Sequence, residues 1–244
     1  MATEAIILAG GLGTRLRSAV PDLPKALAPV AGRPFLSYVL QFLEGAGVRR
    51  VVLAVGYRSE AIQSTFGGRY GDLQLVYSIE DEPLGTGGAL MRALTHIRDR
   101  YALVLNGDTF LQIDYQGMAR VLEEVPDGRM AVALRRVEDA TRYGVALVSE
   151  GRIVGFASRG KSGGGLINAG SYVVHRQLFE DYPMPVKFSL EQDFLQGRVG
   201  ELRPVAFECE GAFIDIGIPE AFEQAGALLP AWMPEVARTR NNKA

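Results

Sequence analysis

A single cysteine, Cys209, among 244 residues excludes an intrachain disulfide framework and any cysteine-rich metal site. It sits in a strand-like run, which reads as the place of a buried, inert thiol. Only two histidines are present, His96 and His175, in helix-like and strand-like runs, and both read as structural. The net charge of −2 lacks the cation excess of a nucleic-acid surface. No apolar run approaches the roughly 20 residues that span a bilayer, so membrane insertion is not expected. The N-terminus shows no basic region, apolar stretch and cleavage site of a signal peptide. With 48% apolar and 22% charged residues, ordinary values for a globular protein, the expectation is a cytoplasmic enzyme or binding protein.

The most informative stretch is Leu8-Ala9-Gly10-Gly11-Leu12-Gly13-Thr14-Arg15-Leu16, followed by Pro24-Lys25. It comes after an apolar segment, Ala5 to Leu8, that reads as a buried strand. Its three glycines let the backbone approach a ligand closely and turn amides inward. Thr14, Arg15 and Lys25 add a hydroxyl, a forked cation and a point cation. That combination suits a polyphosphate, although a tight structural turn is the plainer alternative. The run does not end in the Gly-Lys-Ser/Thr of a P-loop. Leu16 occupies the place where a dinucleotide loop needs a small residue.

The first half alternates strand and helix signals. Strands are expected at Ala5–Leu8, Arg50–Val55, Leu73–Ser78, Tyr101–Leu105 and Met130–Arg135. Helices are expected from Pro34 to Glu44, Ser59 to Phe66, Gly87 to Arg98, and Asp114 to about Val125. This β-α-β alternation predicts a mostly parallel sheet flanked by helices, whose ligands gather beyond the carboxyl ends of the strands. Near residue 140 the pattern changes. Val145–Val148 and Arg152–Phe156 read as a hairpin about Ser149-Glu150-Gly151, and Ser158–Gly165 as a mobile loop. Then come a strand at Ser171–His175, a helix at Leu190–Gln196, strands at Leu202–Phe207 and Phe213–Ile216, and a helix from Pro219 to about Leu229. The expected organisation is one domain over 1–230, with a nucleotide-binding half to about 139 and a sugar-binding half over about 140–213. A polar tail follows at 231–244, and no hexapeptide β-helix repeat is seen.

LAGGLGTRL with PKAL resembles the opening of the sugar-1-phosphate nucleotidyltransferases. Gly56-Tyr57-Arg58, Glu82-Pro83-Leu84-Gly85-Thr86-Gly87-Gly88-Ala89, Asn106-Gly107-Asp108, Asn168-Ala169-Gly170 and Phe213-Ile214-Asp215-Ile216-Gly217-Ile218-Pro219 follow in the family's order. Within the family, the chain looks most like the guanylyltransferases that act on D-glycero-α-D-manno-heptose 1-phosphate. The resemblance implies a Rossmann-like, GT-A-like fold with a mixed, mostly parallel central sheet. It also implies transfer of GMP from GTP to a sugar 1-phosphate, with pyrophosphate released and a nucleotide-sugar for surface polysaccharide formed. A homodimer is compatible with it.

For the residues, the resemblance implies a site of cations, amides and Mg²⁺. The attacking phosphate is already an anion, so the work is to gather polyanions and stabilise transferring charge. Asp108 and Asp215 match the metal-binding positions, where Mg²⁺ takes one or two carboxylates plus phosphate and water oxygens. The alternative is that each caps a turn or helix. Arg15 is expected on the β- and γ-phosphates and Lys25 near the α-phosphate. Leu8, Ala9, Gly10, Gly11, Gly13 and Thr14 would supply the phosphate loop. Gly85, Thr86, Gly87 and Gly88 form the second loop, with Gly87 and Gly88 admitting the base.

Glu80 is the candidate reader of guanine, whose N1–H and N2–H₂ both donate to a carboxylate. Glu82 or backbone groups are the alternatives. On the sugar side, Gly144 and Asn168 are expected on hydroxyls. Ser158-Arg159 replaces the family's Glu-Lys, leaving Arg159 or Lys161 to hold the sugar phosphate. Glu191 is a hydroxyl acceptor or a carboxylate serving a helix start. Mannose-1-phosphate guanylyltransferase, a uridylyltransferase and a non-catalytic nucleotide-sugar-binding paralogue are the competing functions. A related metal-dependent glycosyltransferase would carry Asp-X-Asp, whereas Thr109 and Phe110 follow Asp108.

Overall fold

The computed structural model describes residues 2–11, 16, 20, 23–141, 143–157 and 163–233. Its strands are β1 (Glu4–Leu8), β2 (Pro29–Val30), β3 (Arg33–Pro34), β4 (Arg50–Val55), β5 (Arg69–Tyr70), β6 (Leu73–Ile79), β7 (Tyr101–Asn106), β8 (Thr109–Leu111), β9 (Met130–Val137), β10 (Val145–Ser149), β11 (Arg152–Ala157), β12 (Gly165–His175), β13 (Val205–Cys209) and β14 (Phe213–Asp215). The helices are α1 (Phe35–Gly45), α2 (Ser59–Phe66), α3 (Gly85–Leu94), α4 (Tyr115–Glu123), α5 (Leu178–Asp181), α6 (Val199–Leu202) and α7 (Pro219–Trp232). Leu190–Gln196 forms a π-helix.

Strands from both halves of the chain share one ten-stranded sheet, in the order β10-β11-β13-β9-β12-β7-β1-β4-β6-β5. The parallel block is β7-β1-β4-β6. Its strands β1, β4 and β7 are near-continuous apolar runs because both faces are covered. Ile7, Val51 and Leu103 pack toward α1, α4 and α7. Their neighbours Ile6, Val52 and Ala102 pack toward α3 and the aromatic group Phe179, Phe188 and Phe194. β12 runs antiparallel to both β7 and β9 and joins the halves.

β12 is longer than expected and starts at Gly165, so the segment Asn168-Ala169-Gly170 lies inside a strand. Asn168 pairs with Leu134 and Tyr172 with Val132. Four steps on β12 thus meet two on β9, a bulge of the kind that re-aims side chains. Gly170 supplies the turn at φ +68, and a Cβ there would stand 2.8 Å from the Asn106 amide nitrogen, so glycine is required.

Other boundaries move for local reasons. The expected strand at Leu202 is instead the end of α6. Arg203 adopts a left-handed φ of 41, Pro204 follows, and β13 begins only at Val205. α3 starts at Gly85 and ends at Leu94, short of Arg98, because Thr95, His96 and Ile97 donate three residues back into a tightened turn. α7 continues past Pro230 to Trp232, whose ring stacks on Phe110 at 6.2 Å.

Candidate functional site

The parallel strands end at a cleft. β1 delivers Leu8, Ala9, Gly10 and Gly11 to it, and β7 delivers Asn106, Gly107 and Asp108. Two cavities adjoin here, of about 560 and 300 Å³. Asn106, Asp108 and Glu191 line both and form the seam between them.

Lys25 opens a short 3₁₀ turn anchored by the buried Ala26 and Leu27. Its ammonium donates to Asp108 Oδ2 at 2.9 Å, with 14% and 29% of the two side chains exposed. Asp215 reaches the same place through β-pairing. Thr109 of β8 is opposite Asp215 of β14, and the Ile216 amide donates to the Asp108 carbonyl at 3.0 Å. Asp215 Oδ1 also accepts from the Gly217 amide at 2.7 Å. No group of three or more histidine, cysteine, aspartate or glutamate side chains suited to a metal occurs among the described residues. Two carboxylates on the wall of one cavity suit a hard cation that takes its other ligands from phosphate and water.

The larger cavity is walled by Glu80 and by Gly85 and Thr86 of α3. Glu80 Oε2 accepts from the Leu84 amide at 2.9 Å. Its Oε1 lies where a Cβ on Gly10 would come within 2.8 Å, so glycine at 10 makes room for this carboxylate. Burial raises the Glu80 pKa, while the Leu84 amide and the Arg92 charge pull it back. Gly85 has φ +74, and Thr86 Oγ1 accepts from the Leu190 amide at 2.9 Å.

Gly87 and Gly88 depart from expectation. Both are buried and neither lines the cleft. A Cβ on Gly87 would collide with the Phe188 ring, and one on Gly88 with the Val186 carbonyl. Their smallness lets α3 dock on the segment before the π-helix.

The smaller cavity gathers Gly144, Asn168, Glu191 and Asp215. Ser189 caps the π-helix, its hydroxyl accepting from the Gln192 amide at 3.2 Å. Glu191 follows in the first turn. Its Oε1 accepts from Asn106 Nδ2 at 3.3 Å and from the Tyr172 hydroxyl at 3.2 Å. Asn168 donates to Tyr172 at 2.9 Å.

Gly13, Thr14, Arg15, Arg159 and Lys161 lie outside the described residues. Asn106 and Tyr172 escaped the sequence-based candidate set. Asn106 stands in the quoted Asn-Gly-Asp segment, a signal the sequence offers, whereas Tyr172 is brought to Asn168 by the bulge in β12, which the sequence does not mark. The spelling Gly155-Phe-Ala-Ser-Arg-Gly160-Lys161-Ser162 also fits a P-loop pattern. It leads from β11 toward β12, whereas a P-loop cradle needs a following helix N-terminus.

His175 is buried, its Nδ1 accepting from the Gln177 amide at 3.2 Å, and burial lowers its pKa. Cys209 is half-buried rather than buried. Desolvation pushes its thiol up to about 11, which leaves it protonated and unreactive at neutral pH. A wider groove of about 1210 Å³ runs along α1, away from the strand carboxyl ends. Its polar groups bond one another: Arg33 donates to Gln41 at 2.9 Å and Tyr70 at 3.2 Å, and Glu44 accepts from the Asp72 amide at 2.6 Å.

Comparison with known proteins agrees with this geometry. The nucleotidyl transferase family model matches residues 4–230. A D-glycero-alpha-D-manno-heptose 1-phosphate guanylyltransferase of Aneurinibacillus thermoaerophilus is 40% identical over 223 residues, 91% of this chain and 96% of its own. A protein of the same name from Campylobacter jejuni is 39% identical over 220 residues, 90% and 96% of the two chains. The crystal structure of HddC from Yersinia pseudotuberculosis, complexed with GMP-PN, superposes with a TM-score of 0.80 at 35% identity, covering 92% of this chain and 98% of that one. Nucleotidyltransferases of this family generally use a divalent metal. With the family model matched over nearly the whole chain and relatives alike over nine-tenths of it, the chain belongs to the nucleotidyl transferase family.

Proposed function

We propose that this protein transfers GMP from GTP to D-glycero-α-D-manno-heptose 1-phosphate, releasing pyrophosphate and forming a GDP-heptose. The observation that carries the reaction class is the pair of cavities meeting at Asp108, with Lys25 beside it. The near full-length likeness to heptose 1-phosphate guanylyltransferases supports the substrates. In this reading the triphosphate and base take the larger cavity and the sugar 1-phosphate the smaller.

A sugar-phosphate oxygen forms the new bond to the α-phosphorus, and the bond from that phosphorus to the bridging oxygen of pyrophosphate breaks. The nucleophile carries its own charge, so no side chain has to remove a proton. The protein's task is alignment and charge stabilisation. Lys25 is placed for the charge that grows on the α-phosphate. Asp108 and Asp215 would hold Mg²⁺, which supplies positive charge to the triphosphate oxygens when bound. Glu80 accepts from the guanine edge, with Glu82 in reserve. Gly85 and Thr86 form the wall beside it, and Leu8, Ala9, Gly10 and Gly11 supply backbone amides and carbonyls. Asn168, Gly144 and Glu191 hold sugar hydroxyls, and Arg159 or Lys161 holds the sugar phosphate.

GTP consumption suits a cytoplasmic enzyme. No helix among the described residues is long and apolar enough to cross a membrane. The test is pyrophosphate release from GTP, UTP, dTTP and ATP, each against heptose, mannose and glucose 1-phosphates. GTP with the heptose 1-phosphate is expected to give the highest kcat/KM. A preference for UTP or dTTP would overturn the donor, and a preference for mannose 1-phosphate the acceptor.

A further inference from the structure

Tyr172 is completely enclosed within β12, where a phenol hydroxyl without partners costs free energy. Its two partners are side chains of the smaller cavity. It accepts from Asn168 Nδ2 at 2.9 Å and donates to Glu191 Oε1 at 3.2 Å. Asn168 is held at its other end too, its Oδ1 accepting from the Gly170 amide at 3.0 Å, so Tyr172 and Gly170 together fix the amide. Asn106 Nδ2 meets the same Glu191 oxygen at 3.3 Å. The bulge in β12 places Asn168 and Tyr172 on this network, and the left-handed Gly170 leaves room for Asn106. Burial, reinforced by the Glu191 charge, drives the Tyr172 pKa well above its ordinary value, so the hydroxyl stays a donor at any working pH.

We infer that Tyr172 is a positioning residue for acceptor selectivity: it touches no substrate, but it fixes the Asn168 amide and the Glu191 carboxylate in one mutual geometry for the sugar hydroxyls. This rests on the reading of Asn168 and Glu191 as sugar contacts. A group held from behind keeps its orientation when a mismatched epimer binds, and so penalises that epimer.

Tyr172→Phe removes one oxygen and keeps the ring. Steady-state kinetics should show the KM for heptose 1-phosphate rising about tenfold, equivalent to about 1.4 kcal/mol, with the KM for GTP within twofold of the original. The kcat/KM preference for heptose over mannose 1-phosphate should fall with it. Glu191→Gln and Asn168→Ala are measured alongside. If those two raise the sugar KM and Tyr172→Phe does not, the positioning role is wrong and the sugar-site reading survives. If none of the three moves the sugar KM, both are wrong. Equal rises in the KM values for GTP and sugar would mean general loosening and would also overturn the inference. Should Tyr172→Phe fail to fold, 3-fluorotyrosine at 172 strengthens the donor without removing it. An unchanged sugar KM in that protein would count against the role.

Discussion

The two ends of the parallel strands use the same kinds of side chain to opposite effect. At the amino end, Glu4 is buried and its carboxylate is consumed by the protein. It takes the Arg50 guanidinium at 2.7 Å and the Arg98 and Asp99 amides at 2.6 and 2.8 Å. Arg50 also donates to the His96 carbonyl at 2.6 Å, and Asp99 accepts from both the amide and hydroxyl of Thr3. At the carboxyl end, Asp108, Asp215, Glu80 and Glu191 surround open cavities. The charges at one end tie the amino ends of the strands together. At the other end each carboxylate keeps protein donors of its own but borders a cavity.

The largest effect should come from Asp108→Asn. Loss of a charge held for a metal should nearly abolish Mg²⁺-dependent turnover while circular dichroism and Tm stay close to those of the parent. Near-normal turnover in the folded variant would erase the distinction between the two ends. Lys25→Ala comes next, with a fall in kcat on the order of 10²–10³-fold, as for loss of one preorganised donor. The KM for GTP should change much less, because the role proposed for Lys25 is to meet charge that grows in the transition state. A variant altered in KM alone would make Lys25 a ground-state binder.

Glu4→Ala should invert the pattern. Breaking a buried ion pair costs about 3–5 kcal/mol. For a chain of this size that lowers Tm by roughly 6–20 °C, while KM values measured well below Tm remain those of the parent. A changed sugar or GTP KM would mean that the amino end communicates with the site.

Much of this was readable in the sequence, for identifiable reasons. Arg50–Val55 and Ser59–Phe66 have the expected bounds, because a continuous apolar run and a short amphipathic run leave little choice. Asp108 was expected at the cleft because it follows a buried strand and matches the family's Asn-Gly-Asp motif, and it lies there. The network around β12 was less legible. A strand with a two-residue bulge has no fixed period, so the expected strand began only at Ser171 and left Asn168-Ala169-Gly170 outside it. At Gly87 and Gly88, a glycine that clears a ligand and one that clears another segment look alike in sequence, and the neighbours here, the Phe188 ring and the Val186 carbonyl, are about 100 residues away. Glu4 drew no attention for a related reason: its partners, Arg50, Arg98 and Asp99, are distant in the chain.

The central claim is a division of labour across the seam, with base choice on the Glu80 side and sugar choice on the Asn168 side. Glu80→Gln and Asn168→Asp test it when both are scored for two ratios: kcat/KM for GTP over UTP, and for heptose over mannose 1-phosphate. Bidentate base reading is worth about 1–3 kcal/mol, so Glu80→Gln should reduce the first ratio by roughly 5–150-fold and leave the second unchanged. Because burial raises the Glu80 pKa, the first ratio in the parent should also decline on acidification at a higher pH than an ordinary glutamate would give. Asn168→Asp should reduce only the second ratio. Either variant moving both ratios together, or neither moving its own, would contradict the division.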